Sequence, residues 1–193
     1  IETKIFKPLD QSACIVRDKL LRGETVTDAD RSIWSKFIVS LTERTPWNID
    51  DRTQQLSTDK PLQAIVNKLP QNHIDLQAII RNAVIADIID RTEDAHLVKS
   101  IAKMKWVLLH SETADWHLIT SDNPLVQTFG TLSEDTDTLS IALSPSTILI
   151  MTDNTFSCDE NVLKLIAASY NIHVIKQARR FVISSCELQD TPC

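Results

Sequence analysis

The sequence predicts an α+β fold: an N-terminal helical layer, then a mostly antiparallel β-sheet, closed by a C-terminal helix and strand. Three observations predict it. Apolar residues recur every three or four positions up to Lys103, the period changes to two from Lys105, and a capping signature opens one more helix late in the chain. With no internal repeat and no flexible linker, the 193 residues are expected to form one domain, helical over 1–104 and β-rich over 105–193.

The first helix is expected over Leu9 to Leu21, with Ala13, Val16 and Leu20 on its apolar stripe and Gly23 at the C-terminal cap. Thr27-Asp28-Ala29-Asp30 reads as a capping box for a second helix, whose Ile33, Trp34, Phe37, Ile38 and Leu41 share one face. Pro46 disfavours helical geometry at Thr45, so this helix should end near Arg44. A short helix is expected from Thr58-Asp59-Lys60-Pro61 to Leu69, stopped by Pro70. The next, capped by Asn72 with Asp75 at N3, is apolar on most faces and is expected at the centre of the helical layer, bending near Asp90 and Arg91.

Strands are expected from Lys105, with Trp106, Leu108 and His110 on one face and Val107, Leu109 and Ser111 on the other. Further strands are expected at Trp116 to Thr120, Leu125 to Phe129, Leu139 to Leu143, Thr147 to Thr152 and Phe181 to Ser185. Ser157-Cys158-Asp159-Glu160 resembles a capping box for a helix running towards Ala178.

Composition excludes whole classes of function. Only Gly23 and Gly130 are glycines, so no P-loop, dinucleotide fingerprint or nucleophile elbow can be written. Four scattered cysteines without a C-x-x-C pair fit neither a disulfide framework nor a zinc knuckle and indicate a reducing, cytoplasmic setting. The apolar stretch from Ile74 to Ile89 is too often interrupted by polar residues to span a membrane. The opening Ile1-Glu2-Thr3-Lys4 has no signal-peptide character and reads as the remainder of a longer chain. Net charge is −6, split as +1 over residues 1–110 and −7 over 111–193, which disfavours nucleic acid as a partner of the second half. The same asymmetry would suit a homo-oligomer in which the acidic β face meets a basic surface.

Thr120-Ser121-Asp122-Asn123-Pro124 is the densest polar cluster. A strand-ending turn explains it, and so does a ligand site. Ser121-Asp122-Asn123 and Ser100-Ile101-Ala102-Lys103 imitate two serine β-lactamase motifs, but the third, K-T-G, is missing and the spacing is far too short. His110 and His117 would face each other if a hairpin turned at Thr113-Ala114, a pairing better read as a surface pair than as a metal site. Acidic residues such as Glu134, Asp135 and Asp153 fall in predicted turns, and Arg179-Arg180 follows a helix C-terminus. Cys14 is expected in the core. No catalytic residue, metal or cofactor is indicated.

The order of motifs carries more than any one of them. Arg44-Thr45-Pro46, Trp106, Thr120-Ser121-Asp122-Asn123-Pro124, Leu143-Ser144-Pro145, Asn171 and Ala178-Arg179-Arg180-Phe181-Val182 together resemble an uncharacterised bacterial family, domain of unknown function 4238, over nearly the whole chain. Members of that family usually begin with a segment bearing an H-x-x-P-x-x-Y-L motif, which this sequence does not contain. Polar residues at element ends make Arg44, Thr120, Ser121, Asp122, Asn123, Asn171 and Arg180 the expected ligand-binding set, in a pocket that either binds or hydrolyses. Within it, Arg44 is expected to meet Asp122 in a bidentate contact between the helical layer and the sheet. The alternative is a non-enzymatic interaction module.

Overall fold

A computed structural model describes residues 2–61, 64, 75–111, 116–129, 137–153 and 160–185. The elements are α1 (Glu2–Leu21), α2 (Asp28–Glu43), α3 (Pro46–Thr58), α4 (Leu76–Thr92), α5 (Ala95–Lys103), β1 (Lys105–His110), β2 (Thr120–Ser121), β3 (Val126–Phe129), β4 (Asp137–Ser144), β5 (Thr147–Thr152), α6 (Glu160–Gln177) and β6 (Val182–Ile183). The fold is α+β, as the periodicities predict, with the switch from helix to strand between Lys103 and Lys105.

Helix α1 starts well before Leu9 and runs through Pro8. A proline inside a helix removes one backbone donor. Burial of Phe6 against Ile80, Val84 and Ile88 favours the longer helix. Its other end follows the sequence rule: Gly23 has φ 67°, its N–H reaches the Leu20 carbonyl at 3.0 Å, and the Glu24 N–H reaches that of Lys19 at 3.0 Å, the two bonds of a Schellman motif. The Thr27 and Asp30 capping box forms as expected, and Lys19 Nζ adds bonds of 2.8 and 2.9 Å to the two Asp30 oxygens, tying α1 to the start of α2.

Helix α3 was not expected. The Thr45-Pro46 pair that ends α2 also starts α3, because Thr45 Oγ1 accepts the Asn48 N–H at 3.3 Å and Pro46 sits where its missing donor costs nothing. No residue of α3 is buried, which explains the lack of an apolar stripe to announce it. Most of the helix expected from Thr58 to Leu69, and the Asn72 cap, lie outside the described residues; α4 is capped by Asp75, whose side chain accepts the Ala78 N–H at 3.0 Å. The break before α5 falls at Glu93-Asp94, slightly later than expected, where Asp94 caps His96 and Leu97.

The centre of the helical layer is α2 and not α4. Helix α2 packs on α1, α3, α4 and α5, whereas α4 buries only Ile80, Val84, Ile88 and Thr92 along one line. Polar Gln77, Arg81, Asn82 and Asp87 keep the rest of α4 in solvent.

Strands β1, β5, β4 and β3 form an antiparallel sheet in that order. Its pleat sends Trp106, Leu139, Ile141, Leu143, Leu149 and Met151 to one face, against Ala13, Val16 and Leu20 of α1 and Trp34 and Ile38 of α2. Val107, Leu109, Val126, Ile148 and Ile150 face the other way, against Ala167, Tyr170 and Val174 of α6. The sheet is thus sandwiched between α1–α2 and α6. Strand β5 is buried along its whole length.

Two of the predicted strands shrink to the small β2–β6 ladder, in which Thr120 opposes Ile183 and Ser121 opposes Val182. Trp116 to Ile119 is not a strand, since its backbone finds partners outside any ladder: Leu118 N–H on the Pro145 carbonyl at 2.8 Å and Ile119 N–H on Asn171 Oδ1 at 3.1 Å. The His110–His117 pair does not form. His110 stands opposite Thr147 in the β1–β5 ladder, with Nδ1 2.9 Å from Thr147 Oγ1; residues 112–115 lie outside the described ones, as do the Ser157 cap, Glu134 and Asp135.

Candidate functional site

The T-S-D-N-P segment leaves β2 and is fastened to α6 and the link behind it. Ser121 Oγ accepts the Asn123 N–H at 3.1 Å and shapes the turn. The Asp122 carboxylate accepts the backbone N–H groups of Arg179 and Arg180 at 3.1 and 3.2 Å, holding the chain between α6 and β6. Gln177 Nε2 donates to the carbonyls of Asn123 and Leu125 at 2.6 and 3.0 Å. Tyr170 donates its hydroxyl to the Pro124 carbonyl at 2.8 Å and accepts the Ala142 N–H at 3.0 Å, so one phenol joins α6, the turn and β4. Burial pushes the Tyr170 phenol up to about 12. Asn171 spans the approach to β2, accepting from Ile119 and donating to the His117 carbonyl at 2.8 Å.

Arg44 is elsewhere. Its guanidinium forms a bidentate pair with Asp10 of α1 at 2.8 and 3.2 Å, lies 4.6 Å from the centre of the Phe6 ring, and donates Nε to the Ser40 carbonyl at 3.3 Å. The expected Arg44–Asp122 contact is therefore corrected on both sides: Asp10, brought beside Arg44 by the packing of α1 on α2, supplies the carboxylate, and Asp122 is occupied by main-chain donors. The expected set is divided by the fold. Asn123 lines one cleft, Thr120 lines a separate recess, Ser121, Asp122 and Asn171 hold backbone, and Arg180 presents an exposed side chain beside them.

The cleft beside Asn123 has a volume of about 450 Å³. One wall comes from the α2–α3 corner, with Thr42, Thr45, Trp47 and Asn48; the others come from Asn123, Leu125 and Gln127 and from Lys176, Gln177, Ala178 and Arg179. The Arg44-Thr45-Pro46 corner and the T-S-D-N-P turn, far apart in sequence, thus meet across one space. Trp47 is 53% exposed despite its size. Arg179 reaches Asp50 of α3 at 3.6 Å, an exposed and loosely held pair. Sequence reasoning missed Trp47, Asn48, Lys176 and Gln177. The Thr45-Pro46 helix start could have drawn attention to the first two, but no spacing distinguishes the last two from ordinary helix surface.

Among the lining residues there is no histidine, cysteine or carboxylate, and among the described residues no group of three or more such side chains could hold a metal ion. Cys14, expected in the core, is exposed: it neighbours the buried Ala13 on α1 but lies off the Ala13, Val16 and Leu20 stripe. No helix among the described residues is long and apolar enough to cross a membrane.

No curated protein and no solved structure matches the chain. The family described as Protein of unknown function (DUF4238) matches residues 1–187, a span that holds the α2–α3 corner, the T-S-D-N-P turn and the α6–β6 link, and the chain belongs to that family.

Proposed function

We propose that the protein binds a small anionic ligand in the cleft beside Asn123. The observation that carries this reading is the meeting of the Thr45 corner, the T-S-D-N-P turn and the Lys176 to Arg179 segment around about 450 Å³, a volume typical of small-molecule sites. Lys176 and Arg179 supply positive charge, Asn48, Asn123 and Gln127 supply amides, and the half-exposed Trp47 supplies a flat apolar wall. No histidine or carboxylate among the lining residues stands ready to activate the Thr42 and Thr45 hydroxyls, which favours binding over hydrolysis. Of the residues expected from sequence, Asn123 would touch the ligand, while Ser121, Asp122 and Asn171 would hold the turn that presents it. The scattered cysteines and the free Cys14 thiol support a reducing cytoplasm as the setting, and the family resemblance supports a bacterial one. The chain is taken to work as one domain.

Titration with succinate and with inorganic phosphate, followed by amide and indole nuclear magnetic resonance, tests this. The expected result is saturable movement of the Trp47 indole and the Asn123 side-chain amide, with affinity reduced about tenfold in Lys176→Glu through loss of an attraction worth roughly 1–2 kcal/mol. Shifts confined to other regions, or none with either anion, would refute the reading. Self-association is the second reading. Leu165, Ile172 and Ile175 stand 70%, 50% and 52% exposed on α6, and a protein concentration series by light scattering would reveal a dimer that Leu165→Glu with Ile172→Glu dissolves.

A further inference from the structure

The walls of the cleft beside Asn123 differ in chemistry, and the difference narrows the ligand. Trp47 stands half in solvent near the start of α3, a helix that buries none of its residues. A single exposed indole is ordinary on a protein surface. This one has a cation beside it. Asp50, three residues further along α3, shares its helix face, and Arg179 reaches Asp50 at 3.6 Å, which brings a guanidinium to within about one helical turn of the indole. Both side chains of that pair are exposed, so Arg179 can exchange Asp50 for another anion at little cost. Lys176 adds a second cation to the same cleft. A different wall supplies two carboxamides. Val126 of β3 packs on α6, so the strand's alternation turns Leu125 and Gln127 the other way, and both line the cleft. Asn123 is presented from a fixed backbone, its N–H held by Ser121 and its carbonyl by Gln177. A carboxamide offers a donor and an acceptor side by side, which is the pattern that the polar edge of a nucleobase matches.

We propose that the anion is a mononucleotide, with its base stacked on Trp47, the base's polar edge met by Asn123 and Gln127, and its phosphate taken by Arg179 and Lys176. This rests on the anion-binding reading of the cleft and adds the aromatic ring to it. A space of about 450 Å³ suits one ligand of that size and not a strand. The net charge of −7 over residues 111–193 repels a polyphosphate backbone, so a single nucleotide is favoured over nucleic acid. Asp50 is then the ligand's competitor: the phosphate displaces its carboxylate from Arg179 and feels its repulsion.

The full chain is titrated with adenosine monophosphate and with three comparisons. Ribose phosphate loses the base, adenosine loses the phosphate, and phenyl phosphate keeps a ring and an anion without the polar edge. Calorimetry gives the affinities, and the Trp47 indole resonance, assigned by Trp47→Leu, reports stacking as an upfield shift. Adenosine monophosphate should bind about tenfold more tightly than each comparison, and Trp47→Leu should erase its advantage over ribose phosphate. Asp50→Asn, at a side chain 70% exposed, should strengthen adenosine monophosphate about threefold and leave adenosine unchanged. Equal affinity for adenosine monophosphate and either ribose phosphate or phenyl phosphate would overturn the nucleotide assignment and leave the anion cleft standing. So would an Asp50→Asn effect of the same size on adenosine. Binding by none of the three phosphates would overturn both readings.

Discussion

Tyr170 is the only tyrosine in the chain, so its ionisation can be followed directly by tyrosinate absorbance. Removing its hydroxyl in Tyr170→Phe leaves two main-chain groups without their partner, the Pro124 carbonyl as acceptor and the Ala142 N–H as donor. Each orphaned group costs roughly 1–3 kcal/mol, and partial access of water lowers the sum, so a loss of about 2–4 kcal/mol is expected from urea midpoints. The phenol also links stability to alkaline pH. Its folded value is raised from 10.0 to about 12, so the neutral form is the one the fold favours. That contribution is complete below pH 10, the unfolded value, and is lost as pH rises through 12, a total of roughly 2–3 kcal/mol at 1.36 kcal/mol per unit. The steepening of alkaline unfolding should be present in the parent protein and reduced in Tyr170→Phe, which separates it from the lysines. A tyrosinate signal rising near pH 10 in protein that is still folded, or a Phe variant within about 0.5 kcal/mol of the parent, would refute the argument.

Asp122→Ala should cost about 1–2 kcal/mol, the range of a lost helix cap, because its carboxylate serves two exposed main-chain donors. Arg44→Ala should cost a similar amount through Asp10 and Phe6, and the double variant with Asp122→Ala should be additive within about 0.5 kcal/mol, whereas Arg44→Ala with Asp10→Ala should show coupling in denaturant midpoints. Gly23→Ala places a Cβ at φ 67° with open space around it, so the expected loss of about 1 kcal/mol is purely conformational and should appear in thermal melts without any change in core packing. Asp30 is held down from 3.8 to about 2, first by the Lys19 ammonium and then by the Thr27 donors. Its contribution is therefore present above pH 3.8 and fades as pH falls through 2, and Asp30→Asn should flatten the acid limb of the stability profile over that window.

Local signals were well read where one rule decided the outcome. Thr27 with Asp30, Gly23, the two-residue period from Lys105 and the Thr147 to Thr152 strand all lie where spacing places them. Reading failed where tertiary packing chose between local options. The Ala13, Val16 and Leu20 stripe does not reach the residues before Leu9, which join α1 where Phe6 finds a buried place against α4, and Trp116 to Ile119 has a strand-like pattern but gives its backbone groups to Asn171 and Pro145. The site was legible as a cluster but not as an arrangement. The T-S-D-N-P residues stood out by type, yet their use depends on Tyr170, Gln177 and the 179–180 main chain, whose approach is set by how α6 crosses the sheet. Arg44 was assigned to the wrong carboxylate because Asp10 becomes a neighbour only when α1 and α2 pack side by side.

The complete burial of β5 has a kinetic meaning. Its amides bond to β1 on one side and β4 on the other while both its faces are covered, so no local fraying can expose them. Hydrogen exchange at Ile148 to Met151 must then proceed through global opening, and its rate becomes a gauge of the whole protein's free energy. Neither lined space includes a β5 residue, yet a ligand bound in either one would slow exchange there by the factor 1 + [L]/Kd. Deuterium uptake in that one strand therefore offers a way to screen ligands for this family without knowing in advance which of the two spaces they enter.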